Sequence, residues 1–191
     1  MEISFTRRFS MAHRLLFSGS QKCETPHGHN ELVTARLRYV GEPSICTDAN
    51  IAMDFGELKR DWHAWIDSSV DHALQLGTSD PLIDYFRVNE PERLARILVT
   101  PGDPSTELVA ALFLSKYACF LAAIDAPFVV DAIELQETPT NAVTVRKEDL
   151  ALFPAVNTNG WWKRSDFSIN ENDDQRDYAT SSDRKAPLIS E

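Results

Sequence analysis

Three of the five histidines of the chain stand close together in the sequence, at His13, His27 and His29. Alternate residues of a β-strand point to the same face, so a strand that carries His27 and His29 presents both imidazoles to one point. Gly28 between them allows a neighbouring backbone to approach closely. His13 ends an earlier alternating segment and can supply a third nitrogen if the two segments pair. Three imidazoles that leave a fourth position open are typical of a catalytic zinc site.

The same histidines also have a plainer interpretation. A His-x-His pair is a weak signal by itself, because a polar loop can give the same spacing. In that case His13 is a satisfied core residue, and His27 and His29 belong to the loop. No set of four Cys or His residues has the spacing of a closed structural zinc site. Residue types alone leave both interpretations open.

The composition is that of an ordinary globular protein. Of 191 residues, 43% are hydrophobic and 25% charged, which suits one domain with a sizeable core. The net charge of -10 argues against nucleic acid or an anionic membrane as a partner. No apolar run approaches the roughly 20 residues needed to cross a bilayer. The three cysteines show no paired spacing, and no secretion signal is visible, so we expect free thiols and a cytoplasmic protein.

Segments of the chain alternate between apolar and polar residues as half-buried strands do. Residues 3–13 and 31–40 place apolar side chains at every second position. Residues 128–137 are rich in β-branched and apolar residues, and residues 142–145 can complete a hairpin with them. The sequence therefore predicts four strands.

Two helices separate these pairs of strands. Asp54 followed by Glu57 forms a capping signal, and apolar residues at helical spacing continue to about Val70. A second helix opens at residues 104–107, and the segment 77–103 between the helices stays undecided. The order predicts an α+β fold in which an antiparallel four-stranded sheet carries two helices on one face. The exposed edges of such a sheet favour a homo-oligomer.

The composition changes towards the C-terminus. We expect residues 1–153 to form the domain and residues 154–191 to form a C-terminal extension. From about residue 170 the extension is rich in Asp, Asn, Ser and Arg, which is typical of a mobile tail. Trp161 and Trp162 are unusual in such an extension. They either dock on the domain or on a neighbouring subunit, or they are exposed.

Six short motifs follow one another between residue 5 and about residue 145. They are Phe9–Leu15, Cys23–Asn30, Met53–Lys59, Val70–His72, Pro104–Glu107 and Gln136–Thr138. In this order they resemble the signatures of the 6-pyruvoyl-tetrahydropterin synthase family. One motif would be a weak signal, whereas the ordered set is specific. The three residues between Cys23 and His27 are similar to the 6-carboxy-tetrahydropterin synthase branch of queuosine biosynthesis, because the animal-type pyruvoyl branch has a longer gap there.

The resemblance implies the tunnelling fold (T-fold), assembled through its sheets into trimers or hexamers with shared active sites. It also implies a zinc-dependent lyase that converts 7,8-dihydroneopterin triphosphate to 6-carboxy-5,6,7,8-tetrahydropterin, with release of acetaldehyde and triphosphate. Two alternatives remain open. One is the 6-pyruvoyl-tetrahydropterin product, and the other is a non-catalytic pterin- or metal-binding protein of the same fold.

The resemblance also assigns roles to single residues, beginning with Zn²⁺ on the three histidines. Cys23 would act as the base, and Asp71 with His72 would form a second acid–base unit that comes from a neighbouring subunit. Glu137 would anchor the pterin through its amino and ring N–H groups. Glu107 would also contact the substrate, although a carboxylate in the first turn of a helix is favoured electrostatically without any such role.

Each of these roles has a structural alternative. Cys23 can be a buried inert thiol, Asp71 and His72 can belong to a solvated helix end, and Glu137 can be an ordinary surface carboxylate. The residues that would bind the triphosphate stay open among four basic side chains: Lys22, Arg14, Arg36 and Arg146. The segment 77–103 is longer than in the compact carboxy enzymes, so we expect the mouth of the substrate pocket to differ from theirs.

Overall fold

The structure, a computed structural model, describes residues 1–42, 45 and 48–171. Within these ranges α-helices and β-strands form one α+β unit. In chain order its elements are β1 (Glu2–His13), α1 (Gln21–Glu24), β2 (His27–Tyr39), α2 (Phe55–Trp65), β3 (Ala73–Gly77), α3 (Pro81–Asn89), β4 (Ile97–Thr100), α4 (Thr106–Ala123), β5 (Phe128–Thr138) and β6 (Asn141–Arg146). A π-helical turn, Ile66–Val70, continues α2.

The strands form one mixed sheet in the order β4-β3-β1-β2-β5-β6. β1, β2, β5 and β6 are the four strands that the sequence predicts, and they pair antiparallel. β3 runs parallel to β1, and β4 runs parallel to β3. The α+β class is confirmed, but the prediction of a four-stranded antiparallel sheet is wrong. The two added strands have only five and four residues and are largely buried on both faces, so they show no alternation.

The N-cap predicted for the first helix and the start predicted for the second are confirmed. The Asp54 carboxylate accepts a hydrogen bond of 3.1 Å from the Glu57 backbone N–H at the start of α2. α4 begins after Ser105, whose hydroxyl accepts from a backbone N–H of the first turn. α4 is long and apolar enough to cross a membrane by length and composition, but 67% of it is buried inside the fold. It is therefore the central helix of the core.

Helices cover both faces of the sheet, not one as predicted. α2 and α4 pack over β1, β2 and β5, where Trp62, Trp65 and Phe113 are fully buried. The segment 77–103 contains α3 and β4. α3 covers the opposite face of β3 and β4, and there Leu76 and Ile83 belong to a second, smaller cluster. This end of the sheet has side chains to bury on both of its faces, which is why it needs a helix on each.

Residues 154–171 lie against the same core. Trp161 and Trp162 are 1% and 5% exposed, so both dock on their own domain. The indole N–H of Trp161 donates to the Val99 carbonyl at 2.7 Å, and the Val99 N–H donates to the Ile169 carbonyl at 2.9 Å. The segment thus covers part of the outer edge of β4. The mobility expected from about residue 170 concerns mainly residues 172–191, which lie outside the described ranges.

Candidate metal centre

The three histidines meet where β1 pairs with β2. The register places His13 opposite His27 and Met11 opposite His29. Met11 is part of the main core, and the three histidines share its phase along the strands, so all three rings project to the face that α2 and α4 cover. Their ring centroids lie 4.6, 5.0 and 5.2 Å apart. One ring nitrogen from each histidine lies within 4.8 Å of the other two, so the group could hold a metal ion.

Gly28 permits this convergence. A Cβ atom at Gly28 would lie 2.7 Å from the Met11 carbonyl oxygen, closer than real Cβ contacts. Because that oxygen belongs to the backbone of β1, a side chain could fit only if the two strands separated. Separation at this point would move His27 and His29 away from His13.

Hydrogen bonds on the outer nitrogens determine which atoms face the centre. His13 Nδ1 lies 3.1 Å from the Pro104 carbonyl oxygen, and His27 Nδ1 lies 2.9 Å from the Thr25 carbonyl oxygen. A carbonyl oxygen only accepts, so both Nδ1 atoms carry the proton, and in the neutral rings both Nε2 lone pairs face inward. These two Nε2 atoms are 3.1 Å apart. Lone pairs at that distance repel each other, and a cation between them removes the repulsion.

The donor set therefore fits a metal ion. Burial, and next the proximity of His27, lower the pKa of His13 to about 4, so its ring is neutral, the form that binds metals. His29 Nε2 is buried and has no hydrogen-bond partner among the described residues. Zinc–nitrogen bonds of about 2.0–2.1 Å in a tetrahedral site separate two ligand nitrogens by roughly 3.3 Å. The spacing of 3.1 Å between the Nε2 atoms of His13 and His27 is close to that value.

Glu137 lies beside the triad at the end of β5. Its Oε1 atom is 3.9 Å from His13 Nε2 and 3.8 Å from His29 Nε2, beyond hydrogen-bond distance. The hydroxyl of Thr106, the first residue of α4, donates to the same oxygen at 3.1 Å. The structure thus brings Glu137 to the histidines, and it adds a contact with Thr106 that the sequence did not predict.

Two further buried polar residues near the triad were also missed. Glu31 follows His29 by two positions, is 1% exposed and has an Oε2 atom with no partner among the described residues. Burial, and next the proximity of Glu137, raise the pKa of Glu31 to about 8. Gln75 of β3 lies opposite His13 of β1. Neither the nitrogen nor the oxygen of its side-chain amide has a hydrogen-bond partner among the described residues. The alternation of β2 could have identified Glu31, whereas Gln75 lies in a strand that was not predicted.

Cys23 lies in α1, within the connection between β1 and β2. Its backbone carbonyl accepts a hydrogen bond of 2.8 Å from the Leu15 N–H, which closes this connection into a compact loop. The loop joins the strand ends that carry His13 and His27. Cys23 is a free and partly exposed thiol. The structure therefore places Cys23 at the same end of the sheet as the histidines.

The four basic candidates differ in their partners. Arg14 is paired with the buried carboxylate of Asp80, and Arg36 is paired with Glu134 at 3.1 Å. Lys22 and Arg146 form no ion pair in the described part of the chain. Lys22 directly precedes Cys23, whereas Arg146 ends β6 on the far side of the sheet. Lys22 is the candidate best placed to meet an anionic group near the histidines.

Three of the predicted site residues are not brought to the triad by a single chain. Asp71 accepts a hydrogen bond of 2.7 Å from the Ser10 backbone N–H and one of 2.8 Å from His72 Nδ1. Ser10 precedes His13 by three residues, about 10 Å along a strand. His72 has a left-handed backbone with φ 63°, and its side chain is 75% exposed. Glu107 is exposed and forms no hydrogen bond or ion pair within the described residues.

The electrostatics of Asp71 and His72 still resemble those of an acid–base pair. Burial would raise the pKa of Asp71, but hydrogen bonds from Ser10 and His72 outweigh burial and lower it. The carboxylate is thereby held in its charged form beside the imidazole. An ionised carboxylate orients a histidine ring and stabilises the imidazolium.

Several solved structures are similar to this chain. An uncharacterized protein of Wolinella succinogenes has a TM-score of 0.61 at 19% identity, over 77% of this chain and 98% of that one. The 6-pyruvoyl tetrahydropterin synthase of Caenorhabditis elegans has a TM-score of 0.51 at 22% identity, over 76% and 94%. A catalytic-residue mutant of the Plasmodium vivax 6-pyruvoyltetrahydropterin synthase has a TM-score of 0.57 at 22% identity, over 77% and 97%. At such identities these likenesses show the fold alone.

Sequence comparison gives the family. Curated protein sequences provide no match. The family model described as 6-pyruvoyl tetrahydropterin synthase, however, matches residues 2–148, which include the histidine triad and Glu137. The match spans most of the chain and agrees with the ordered motifs and with the convergence of the histidines. The chain therefore belongs to the 6-pyruvoyl tetrahydropterin synthase family.

Proposed function

We propose that this protein is a zinc-dependent lyase that converts 7,8-dihydroneopterin triphosphate to 6-carboxy-5,6,7,8-tetrahydropterin, releasing acetaldehyde and triphosphate. The observation that carries the proposal is the meeting of three imidazole nitrogens beside a carboxylate in a chain of this family. His13, His27 and His29 would hold Zn²⁺, which suits neutral imidazoles with an open position. When bound, the ion supplies a Lewis acid that polarises oxygens of the substrate's side chain.

The carboxylate of Glu137 is proposed to orient the pterin ring. A carboxylate can accept two parallel hydrogen bonds from the amino group and the adjacent ring N–H. The Thr106 hydroxyl donates to Oε1 and restricts how the carboxylate can turn. Lys22 is proposed to meet the triphosphate, because it is near the histidine end of the sheet and has no ion pair among the described residues.

Two groups are proposed to move protons. Cys23 removes a proton from the carbon side chain of the substrate, and His72, oriented by Asp71, forms the second acid–base unit. Since His72 is exposed and lies well away from its own triad, it would serve the site of a neighbouring copy. We therefore propose a homo-oligomer of the tunnelling-fold type, a trimer or hexamer with shared active sites.

The carboxy product of the queuosine pathway is favoured over the pyruvoyl product by the three-residue gap between Cys23 and His27. The pyruvoyl product remains the second candidate, because two of the similar solved structures carry that name. Incubation of zinc-loaded protein with 7,8-dihydroneopterin triphosphate, followed by identification of every product, distinguishes them. We expect acetaldehyde and triphosphate in equal amounts. Triphosphate without acetaldehyde would indicate the pyruvoyl reaction, and neither product would indicate a non-catalytic protein.

Replacement of Cys23 by Ala tests the proposed base. We expect turnover to fall by about 10²- to 10⁴-fold, the usual contribution of a general base, while the zinc content is unchanged. Cys119→Ala is the matched control, because Cys119 is the other free thiol in the described part of the chain and lies near the Trp162 carbonyl. Unchanged turnover in Cys23→Ala would remove this residue from the mechanism.

A further inference from the structure

Glu31 has a buried carboxyl group to which the proposed function assigns no role. It is 1% exposed, and its Oε2 atom has no hydrogen-bond partner among the described residues. Burial of an unpartnered carboxyl group destabilises a fold, and such groups are rare in native proteins. An apolar side chain at this position would stabilise the domain more. Because the group destabilises the free protein, we expect a bound ligand to supply its hydrogen-bond partner.

The register of the sheet shows what Glu31 faces. Glu31 has the same phase along β2 as His27 and His29, so it projects to the face that carries the triad. The recorded pairing of β2 with β5 ends with Leu32 opposite Gln136, and its continuation by one residue brings Glu31 opposite Glu137. Residues opposite each other on neighbouring antiparallel strands have Cβ atoms about 4.5–5.5 Å apart.

The two carboxyl groups therefore stand side by side in the site. When both are ionised, two carboxylates at opposite positions of neighbouring strands repel each other at a cost in stability. Neither Glu31 nor Glu137 forms an ion pair with a lysine or arginine in the described ranges, so no cation of the chain offsets this cost. The arrangement presents two neighbouring hydrogen-bond acceptors to whatever binds beside the histidines.

A pterin ring has more N–H donors on one edge than a paired contact with one carboxylate engages. The exocyclic 2-amino group carries two N–H bonds, and the ring nitrogen beside it carries another. A paired contact with Glu137 uses the ring N–H and one amino N–H. The second amino N–H is then left without an acceptor, and in a buried site it requires one.

We infer that Glu31 is a further substrate-binding residue, which accepts the second N–H of the 2-amino group. The inference rests on the proposed function, since it takes the ring to be held by Glu137. Together the two carboxyl groups select planar heterocycles that have an amino group next to a ring N–H. A ring with an oxygen at the same position presents an acceptor to an acceptor, and the site rejects it.

Ligand binding without turnover tests this inference. The zinc-loaded full chain is titrated with neopterin and with the lumazine that has the same side chain but oxygen in place of the 2-amino group, and ligand fluorescence is followed. We expect the wild type to bind neopterin at least 100-fold more tightly. In Glu31→Leu this preference should fall about tenfold or more, and in Glu31→Gln, which keeps one acceptor oxygen, about threefold. Glu134→Leu, on β5 but on the opposite face, should keep the full preference.

Thermal unfolding of the ligand-free variants supplies a second readout. Glu31→Leu should have a higher Tm than the wild type, because it removes an unpartnered buried carboxyl group. A merely structural Glu31 would give the opposite shift. If Glu31→Leu does not fold, Glu31→Gln decides by its ligand preference.

Two outcomes would overturn the inference, and only the second would also overturn the proposed function. An unchanged preference for neopterin in the Glu31 variants refutes the role of Glu31 and leaves the proposed function standing. A wild type that does not prefer neopterin refutes the proposed function as well, and the wild-type titration shows this before any variant is measured.

Discussion

Two regions of this molecule bury polar side chains and treat them in opposite ways. Lys116 of α4 is fully buried, yet its ammonium donates to the Trp161 carbonyl at 2.9 Å and lies 3.4 Å from the Asp166 carboxylate. Three aromatic rings lie within 6 Å of it: those of Trp65, Phe120 and Trp161. Around the triad, by contrast, polar atoms of His29, Glu31 and Gln75 have no partner in the described part of the chain.

The difference separates a structural polar cluster from a binding site. A buried charge that has its partners within the chain needs nothing else, and it fixes the elements that supply those partners. Buried polar atoms without partners lower stability until a ligand or an ion supplies them. We therefore expect substitutions near Lys116 to lower stability, whereas substitutions near the triad should change binding without lowering stability.

The largest effect is expected from His29→Ala. We expect loss of bound zinc and a fall in turnover of at least about 10³-fold, because the open metal site loses one of three ligands. Metal analysis after dialysis and acetaldehyde release measure the two effects. His63→Ala removes a histidine of α2 outside the triad and should keep one zinc per chain. Full zinc content in His29→Ala would show that the triad is not the site.

Lys116→Ala tests the other region. We expect the free energy of unfolding to fall by about 3 kcal/mol, because the substitution breaks a buried ion pair and leaves a cavity. Urea unfolding measures the loss, and the turnover of the folded fraction should stay unchanged. Lys163→Ala, an exposed lysine of the same neighbourhood, should change stability by less than about 0.5 kcal/mol. Equal losses in the two variants would contradict a structural role for Lys116.

The pH dependence of stability gives a smaller effect with a defined sign. Burial lowers the pKa of Lys116 from 10.5 to about 8. Between these values the unfolded chain holds a proton that the folded chain has released, so stability rises with pH. From pH 8 to pH 9.5 the wild type should gain about 1–2 kcal/mol relative to Lys116→Met, measured by urea unfolding at each pH. A constant difference between the two proteins would show that the pKa of Lys116 is not lowered.

Gln75→Leu should have the smallest effect, and it should be favourable. Leucine removes two unpartnered amide groups from a fully buried position, which we expect to raise the free energy of unfolding by about 1 kcal/mol. Gln21→Leu, an exposed position in α1, is the control and should be neutral within about 0.5 kcal/mol. A loss of stability in Gln75→Leu would place Gln75 in the same class as Lys116.

Local periodicity explains how much of the fold and the site the sequence could predict. The strands that carry the triad and Glu137 alternate over many residues, and the spacing of His27 and His29 fixes their common face without knowledge of the fold. β3 and β4 lack alternation, and their parallel pairing joins residues as distant as Met11 and Ala73. Pairings between residues so far apart cannot be predicted from the pattern of a short segment.

The hydrogen-bond and ion-pair partners of buried polar residues could not be predicted for a related reason. Lys116 reads as one polar residue in an apolar helix, and its partners Trp161 and Asp166 follow 45 and 50 positions later. Glu31 shares the phase of the histidines, but a single acidic residue at the start of the predicted strand 31–40 is also typical of a solvated position. Only the assembled sheet shows that one cluster is complete and the other is open.

The docking of residues 154–171 has a practical consequence for C-terminal truncation of this protein. The family match ends at residue 148. A chain truncated there would lose the Trp161 carbonyl and the Asp166 carboxylate, the partners of Lys116. It would also expose more of the β4 backbone to solvent. The part of the chain that matches the family model is therefore shorter than the part that packs into one core. The smallest fragment to express reaches residue 171.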